Sequence, residues 1–285
     1  MKFWNREIEK LFFIEAMKNF ASVEQLFYRL EDRYFAYVPK GKSSKGQALQ
    51  SRNSLIGQFT EKWCRDFFQP IAKSLDLFAV NKVVCPELGL SRQSDADLAF
   101  CTTSEAQQKP ENIKIIFEIK MSIVNNYEFY SNKLIFRGDF TTHKGNPSIL
   151  RSDSMLKAIG KSINIRVSGI ESTRIPIIVI GNSPITEFYL KKVDFLKKAG
   201  IVQSFISLYP NPTKSSIANS MGKGFLAFHD FRTLRGYIKE VVNSDLNFFS
   251  SMLPKRKLGQ IISLSSKEKN DISKAMKFLN LIRES

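Results

Sequence analysis

The chain has 285 residues, of which 43% are hydrophobic, and this length and composition allow one large globular domain or two small ones. Its 43 Lys and Arg residues outnumber its 27 Asp and Glu residues. The formal charge of +16 indicates a polyanionic partner, with nucleic acid first and an anionic membrane surface second, or else simply a basic, solvated surface.

The three cysteines, Cys64, Cys85 and Cys101, are scattered and form neither a zinc-binding spacing nor a disulfide framework. A reducing cytoplasm is therefore the expected compartment. No apolar run approaches the ~20 residues that a membrane span needs, and the first residues lack the apolar segment of a signal peptide. We expect a cytoplasmic protein that has no membrane partner.

The N-terminal region is predicted to contain two helices and a basic loop. The first helix is expected over residues 6–20, and Ser22 with Gln25 forms a capping box that predicts a second helix ending near Tyr37. Residues 39–53 are rich in Gly, Ser and Lys, which is typical of a mobile loop. This loop is either a linker without function or a contact to phosphate groups.

Residues 54–75 are predicted to form a long amphipathic helix. Its apolar stripe consists of Leu55, Phe59, Trp63, Phe67, Ile71 and Leu75. Glu61 also lies on this helix. One interpretation pairs it with Arg65, one helical turn later, on the solvent-facing side.

Three strands are predicted next, at residues 77–84, 96–101 and 113–121, from short apolar runs rich in β-branched side chains. A polar loop over residues 102–112 joins the second strand to the third. Residues 122–150 are expected to form an irregular extension or a hairpin.

Helices and strands are predicted to alternate in the second half of the chain. One helix is expected to run from Ser152 or Asp153 to about Arg166. Its apolar face is expected to consist of Leu156, Ile159 and Ile163. The later predicted elements are a strand at 174–181, a helix at 186–199, a strand at 201–208, a loop at 209–225 and helices at 229–242 and 266–283. Ser265 and Glu268 are predicted to form the capping box of the last helix.

Acidic residues in two neighbouring predicted strands are the strongest functional signal. Strand side chains alternate with period 2, so residues two positions apart share a face. Asp95 and Asp97 therefore share one face at the start of the strand predicted at 96–101, and Glu118 and Lys120 share one face of the strand predicted at 113–121. Burying a carboxylate beside an ammonium group is costly unless the two pair or bind something. Two carboxylates with a nearby lysine outline a Mg²⁺ site. The alternative is an acidic turn and a surface ion pair.

These residues resemble the PD-(D/E)XK nuclease superfamily, to which many type II restriction endonucleases belong. The matching residues are Asp97 with its apolar followers Leu98-Ala99-Phe100, and Glu118-Ile119-Lys120 at the end of an apolar strand. Ala96 stands where the pattern has proline. The predicted order from residue 54, which is helix, three strands, helix and strand, is also the order of that nuclease core.

The resemblance implies a metal site and roles for its residues. Asp97 and Glu118 would hold a Mg²⁺ ion, and the main-chain carbonyl of Ile119 would supply a further oxygen ligand. Lys120 would orient the attacking water or stabilise the developing charge.

Two assignments at this site stay open. In the resembled superfamily, the helix before the first core strand often supplies an extra acidic residue, and Glu61 suits that place. This role stands beside the pairing of Glu61 with Arg65. It is also open whether Asp95 or Asp97 is the main ligand.

The expected fold is α/β, with a mixed central sheet flanked by helices, a restriction-endonuclease-like αβββαβ core and extra helices at both termini. The expected organisation is an N-terminal helical region and basic loop at 1–53, a nuclease core at 54–208, and a loop with C-terminal helices at 209–285. These three parts are expected to form one compact domain.

Basic residues cluster between positions 133 and 166, which indicates contact with DNA phosphates. The predicted DNA-contacting residues are Lys133, Arg137, Lys144, Asn146, Arg151, Ser152, Asp153, Lys157 and Lys161. Arg151 and Asn146 are of the types that read guanine and adenine edges. Ser152 and Asp153 have the alternative role of helix caps.

The resemblance implies a Mg²⁺-dependent endonuclease that cuts double-stranded DNA at a specific sequence in a bacterial or archaeal cytoplasm. Such an enzyme is expected to be a homodimer, matching a symmetric site, and to work beside a DNA methyltransferase. Two alternatives stay open. One is a repair or mobile-element nuclease of the same fold, and the other is a DNA-binding protein without catalysis.

Overall fold

The computed structural model describes residues 2–43, 50–213 and 219–285. Residues 44–49 of the predicted loop at 39–53, and residues 214–218 of the predicted loop at 209–225, lie outside the described residues. Two compact units are present, Met1–Leu246 and Asn247–Ser285. The predicted domain boundaries after residues 53 and 208 both fall within the first unit and stay predictions. Among the described residues, no helix combines the length and the apolar character that crossing a bilayer requires.

Helices and strands alternate along most of the chain. The helices are α1 (Arg6–Asn19), α2 (Val23–Leu26), α3 (Gln50–Lys73), α4 (Ser152–Ser168), α5 (Glu187–Lys198), α6 (Phe231–Val242), α7 (Lys255–Ser265) and α8 (Asp271–Arg283). The strands are β1 (Tyr28–Leu30), β2 (Arg33–Phe35), β3 (Phe78–Val83), β4 (Ala96–Cys101), β5 (Ile113–Ile119), β6 (Asn126–Tyr130), β7 (Lys133–Gly138), β8 (Ile177–Gly181), β9 (Ser204–Ser207) and β10 (Phe225–Ala227).

The central element is a six-stranded sheet of order β10-β9-β8-β5-β4-β3. Strands β3, β4 and β5 are antiparallel, whereas β5, β8, β9 and β10 run parallel to one another. The predicted α/β fold with a mixed sheet flanked by helices is therefore confirmed. Strand β10 was not predicted from the sequence.

Strand β5 divides its side chains between two apolar layers, one on each face of the sheet. Phe117 stacks on Phe68 of α3, with ring centroids 5.2 Å apart. Ile116 belongs to the opposite layer, together with Ala158 of α4. Glu118 is two residues from Ile116, so alternation directs its side chain to the α4 side of the sheet.

Helix α4 forms as predicted but turns a different face to the sheet. Met155, Ala158 and Ile165 are buried, whereas Leu156 and Ile163 of the predicted apolar face are 61% and 41% exposed. The predicted face was therefore wrong at Leu156 and Ile163, whereas Ile159 packs against the core as predicted. The sheet already supplies large apolar side chains, and a small residue such as Ala158 lets the helix pack closely against them.

The N-terminal region contains two strands where a helix was predicted. The capping box is confirmed, because the Ser22 amide donates to Gln25 Oε1 at 2.9 Å, but α2 is only one turn long. The predicted continuation to Tyr37 is wrong, since Phe35 of β2 pairs with Glu128 of β6. These strands belong to a second, four-stranded sheet of order β1-β2-β6-β7. Strands β6 and β7 form the hairpin considered for residues 122–150.

The second unit contains α7, which was not predicted, followed by α8. Asn270 caps α8, because its Oδ1 accepts a hydrogen bond from the Ser273 amide at 2.9 Å. Ser265 instead donates its hydroxyl to Ile261 O within α7. The predicted capping box of Ser265 with Glu268 is therefore wrong.

Candidate functional site

Strands β4 and β5 bring the predicted acidic residues together. Leu98 pairs with Phe117 across the antiparallel ladder, so the next position in this register sets Asp97 opposite Glu118. Directly opposed residues of antiparallel strands share a face, and this face is covered by α4. Glu118 is only 3% exposed, whereas Asp97 is partly exposed.

Two lysines close around this carboxylate pair. The ammonium group of Lys120 contacts Glu118 Oε1 and lies 3.8 Å from Asp97 Oδ2. Lys161 of α4 places its Nζ 3.0 Å from Asp97 Oδ1 and 2.6 Å from Glu118 Oε2. We refer to Asp97, Glu118, Lys120 and Lys161 as the carboxylate–lysine cluster. Lys161 was predicted as a phosphate contact, and its position within the cluster differs from that expectation.

The pKa values of the cluster reflect charges held away from water. Burial raises the pKa of Glu118, and the negative charge of Asp97 raises it further, while the two lysines oppose the rise. Burial alone would lower the pKa of Lys161, but the charges of Asp97 and Glu118 outweigh burial, so its pKa is raised. Lys161 is therefore an ammonium group at neutral pH and neutralises buried negative charge.

The main chain of Ile119 also faces the cluster. Its amide donates a 2.6 Å hydrogen bond to Asp97 Oδ2, and its carbonyl oxygen accepts from Lys120 Nζ at 3.3 Å. The hydrogen bond from the Ile119 amide fixes the Asp97 carboxylate against β5. The carbonyl oxygen therefore contacts the same ammonium group as Glu118, and its role as a metal ligand stays a prediction.

Glu61 of α3 is connected to the cluster through Asn81. The Asn81 side-chain amide donates to Glu61 O at 3.2 Å and to Asp97 O at 2.7 Å. Burial, followed by the negative charge of Asp97, raises the pKa of the Glu61 carboxyl to about 7. The guanidinium of Arg65 pairs with the adjacent Asp66. The Glu61 carboxyl therefore responds to the charge of the cluster, and Arg65 has another partner.

Lys82 is a charged neighbour that the sequence did not reveal. The β3–β4 register, in which Asn81 pairs with Leu98, sets Lys82 opposite Asp97. Its charge lowers the pKa of both Glu61 and Asp95 against the larger effect of burial. Its φ of 54° lies in the left-handed region, which is uncommon for residues other than glycine and occurs often at functional sites.

Ser148 holds the backbone of Lys120 from a neighbouring loop. Its hydroxyl donates to the main-chain carbonyl oxygen of Lys120 at 2.5 Å and accepts from the main-chain amide of Asn182 at 3.0 Å. The main-chain amide of Ser148 donates to Ser122 Oγ at 2.8 Å. Ser148 has a φ of 51° and is 3% exposed. The surrounding hydrogen bonds thus maintain an unfavourable backbone conformation next to the cluster.

The other predicted DNA-contacting residues lie at different positions around the first unit. The exposed ones are Lys133, Arg137, Lys144, Asn146, Arg151, Ser152 and Lys157. The guanidinium of Arg151 contacts Asp153, and Arg137 Nε donates to the fully buried Glu128 at 2.5 Å. Arg151 precedes the first helical residue, Ser152, so the alternative role of Ser152 and Asp153 as caps of α4 is wrong.

Arg166, which belongs to the same basic segment of the sequence, is 4% exposed. Its guanidinium donates to the carbonyl oxygens of Ser172, Ile175 and Ile201. It therefore connects the end of α4 to the segments that lead into β8 and β9, and does not add to the exposed basic surface.

Protein-family models, curated proteins and solved structures give no match to this chain. An α/β fold hosts many unrelated activities, so a fold alone does not define one. The chemistry of the carboxylate–lysine cluster is therefore the basis for inferring function.

The oxygen atoms of the cluster suit Mg²⁺. This ion is usually held by one or two carboxylates and keeps several waters, and the cluster offers two carboxylates and the Ile119 carbonyl. Within the described residues, Glu118 Oε2 is buried and has no partner in hydrogen-bond geometry, although Lys161 Nζ is 2.6 Å away. Three acidic, histidine or cysteine side chains do not converge on a metal position anywhere in the described part of the chain. Binding here would therefore depend on two carboxylates and a main-chain oxygen.

Proposed function

We propose that this protein is a Mg²⁺-dependent endonuclease that hydrolyses double-stranded DNA at a specific sequence. The observation that carries the proposal is the convergence of Asp97, Glu118 and Lys120 at one end of two buried strands. Desolvating these charges is expensive, and ionisable groups with shifted pKa values concentrate at functional sites. A surface ion pair would not account for a Glu118 that is 3% exposed.

The residues of the site have separate roles in this proposal. Asp97, Glu118 and the carbonyl oxygen of Ile119 would hold the metal ion. When bound, Mg²⁺ would lower the pKa of the attacking water and neutralise charge on a phosphate oxygen. Lys120 orients that water and stabilises the negative charge that develops on the phosphate. Glu61, with a pKa of about 7, is suited to exchange a proton near neutral pH.

The order of elements and the net charge support a nuclease. Apart from the β6–β7 hairpin, which follows β5 and belongs to the other sheet, the order α3-β3-β4-β5-α4-β8 is the helix and strand order of the core that the motif resembles. The charge of +16 favours association with a polyanion. Exposed Lys133, Lys144 and Lys157 would contact phosphates. Arg151 and Asn146 would be placed to read base edges.

The proposal also includes partners. A homodimer would match the two-fold symmetry of a duplex recognition site. A restriction enzyme of this kind would act in a bacterial or archaeal cytoplasm, beside a DNA methyltransferase that modifies the same site. A repair or mobile-element nuclease would keep the cluster and change the substrate, whereas a DNA-binding protein without catalysis would need only the basic surface.

Digestion of supercoiled plasmid DNA by the purified protein separates these functions. A restriction-type enzyme gives discrete fragments in Mg²⁺ and none in EDTA, and the Asp97→Asn variant gives none in either. Nicked or randomly cut DNA indicates repair or mobile-element processing. DNA that is retarded on a gel but stays intact in Mg²⁺ and in Mn²⁺ contradicts the nuclease and supports the binding protein.

A further inference from the structure

Lys161 lies at the bridging position of the carboxylate pair. Its Nζ is within 3.0 Å of one oxygen of Asp97 and within 2.6 Å of one oxygen of Glu118. Lys120 is placed to one side, since it contacts Glu118 but is 3.8 Å from Asp97. The position between two opposed carboxylates is also the one that a bridging divalent cation would take.

The fold holds Lys161 in this position. Ala158 and Ile165, three residues before and four residues after it, are both buried on the side of α4 that faces the sheet. Residues at these spacings share one face of a helix. The side chain of Lys161 is 17% exposed. In this rotamer its ammonium group is therefore largely shielded from water, and it can become solvated only by a change of rotamer.

The carboxylates need a counter-charge at all times. Asp97 and Glu118 lie on directly opposed positions, and two unpaired carboxylates so placed would repel each other and lose solvation. Lys161 supplies that charge. A divalent ion placed between the same two oxygens would meet the ammonium group at contact distance, so both cations cannot occupy this position.

We propose that Lys161 is the resident counter-ion of the Asp97–Glu118 pair, and that a divalent cation binds there only by displacing its ammonium group. This inference rests on the proposed function, because it takes the same carboxylates as the metal ligands. It adds that the metal-free site is closed by an ion pair and that metal affinity is set by competition with Lys161. A displaced Lys161 remains beside the site as a positive charge next to the substrate phosphate.

Calorimetric titration with Mn²⁺ alone, without DNA, tests the competition. Replacing Lys161 by Met removes the competing charge, so the affinity for Mn²⁺ is expected to rise by on the order of tenfold or more. Lys82→Met is the matched control, because Lys82 is exposed and its charge acts on Glu61 and Asp95. Within the described residues, the ion pairs of Asp97 and Glu118 are made with Lys120 and Lys161. This control should change the affinity much less.

Thermal unfolding gives a second readout that needs no activity. Lys161→Met is expected to melt at a lower temperature than wild type in EDTA, because the carboxylates lose their counter-charge. Addition of Mn²⁺ should raise its melting temperature by more than it raises that of wild type. Lys161→Gln, which keeps a hydrogen-bond donor for the carboxylates, is the second variant and should show the same two effects if the Met variant does not fold.

The outcomes separate this inference from the proposed function. An affinity for Mn²⁺ that rises equally in Lys161→Met and Lys82→Met, or that falls in Lys161→Met and Lys161→Gln, overturns displacement. Failure of wild type and both Lys161 variants to bind Mn²⁺ overturns both proposals. Displacement confirmed for a protein that leaves DNA uncut would retain the inference and reject the nuclease.

Discussion

The Glu61 carboxyl lies where burial, and then the charge of Asp97, oppose its ionisation, so its pKa rises from 4.5 to about 7. A carboxyl group with a raised pKa stays protonated in the folded state while the unfolded chain has already ionised. Its contribution to stability is therefore present below about pH 4.5 and is lost as the pH rises towards 7. Above that range the folded protein retains a carboxylate in an unfavourable position.

Replacing Glu61 by Gln should remove this pH-dependent penalty. We expect Glu61→Gln to raise the melting temperature more at about pH 8 than at about pH 5, because only the wild type carries the unfavourable charge at the higher pH. The measurement is differential scanning calorimetry at both pH values without metal. Glu111→Gln, at an exposed position, is the control and should show no such difference. An equal shift for Glu61→Gln at both pH values would contradict the assigned environment.

The residue pattern predicted part of the cluster and could not predict the rest. Period-2 alternation was sufficient to place Glu118 and Lys120 on one face, because it depends only on neighbours within a strand. Lys161 joins the cluster through the packing of α4, and Lys82 lies beside it through the pairing of β3 with β4. Contacts of that kind depend on residues distant in sequence, which local spacing does not encode.

Helix α4 illustrates why the face of an element is harder to predict than the element itself. Two of its larger apolar residues, Leu156 and Val167, are 61% and 71% exposed, while the smaller Ala158 and Ser162 are buried. A search for the most apolar stripe therefore selects the outer face. A lysine between two inward-facing small or apolar residues was the available signal, but it becomes informative only when the inner face is known.

Strands β1 and β2 show the same limit for secondary structure. A capping box predicted a helix correctly at Ser22, and the continuation failed because β2 is stabilised by pairing with β6, with Tyr34 opposite Phe129. That pairing connects residues more than ninety positions apart in the sequence. By contrast, the predicted limits of β4 were confirmed. Its apolar run packs on both faces of the sheet, and the ends of that run coincide with the ends of the strand, Ala96 and Cys101.

At Ser148, glycine should destabilise the protein less than alanine does. Both Ser148→Ala and Ser148→Gly lose the hydroxyl that satisfies Lys120 O and the Asn182 amide, at a cost of about 1–3 kcal/mol. Glycine also relieves the left-handed backbone, which costs other residues about 1–2 kcal/mol. We therefore expect Ser148→Gly to be more stable than Ser148→Ala, measured by urea denaturation.

Ser131 provides the control for the backbone contribution. It has a φ of 46° in the exposed turn between β6 and β7, without the buried hydrogen bonds of Ser148. Ser131→Gly should likewise exceed Ser131→Ala in stability, and neither should lose the hydroxyl contribution. A Ser148→Ala variant that is more stable than Ser148→Gly would contradict the strained conformation.

For the whole molecule, the excess of basic residues predicts how the proposed binding to DNA should depend on the salt concentration. Lys144 and Lys157 are exposed on the predicted DNA-contacting segment, and each should release counterions on binding. The slope of log affinity against log salt concentration should shrink by about 0.9 for each of them replaced by Ala. Binding to labelled duplexes, measured with Asp97→Asn to prevent cleavage, gives this slope.

Lys109 is the control for this measurement. It is exposed in the connection between β4 and β5, at the opposite end of these strands from Asp97 and Glu118. Lys109→Ala should leave the slope unchanged. If the Lys144→Ala, Lys157→Ala double variant keeps the wild-type slope, the DNA contacts another part of the surface, for which the lysine-rich helix α5 is the next candidate.

Strand β5 supplies the most direct test of the proposed nuclease, because Lys114 lies at its start and Lys120 directly follows its end. Lys120 lies in the carboxylate–lysine cluster, and Lys114 is exposed at the other end of the same strand, where its Nζ donates to Glu111 O. The measurement is the rate of plasmid cleavage in Mg²⁺ by Lys120→Met and Lys114→Met. The nuclease proposal predicts a loss of at least about a hundredfold for Lys120→Met and a rate close to wild type for Lys114→Met. Cleavage by a folded Lys120→Met variant at the wild-type rate would contradict it.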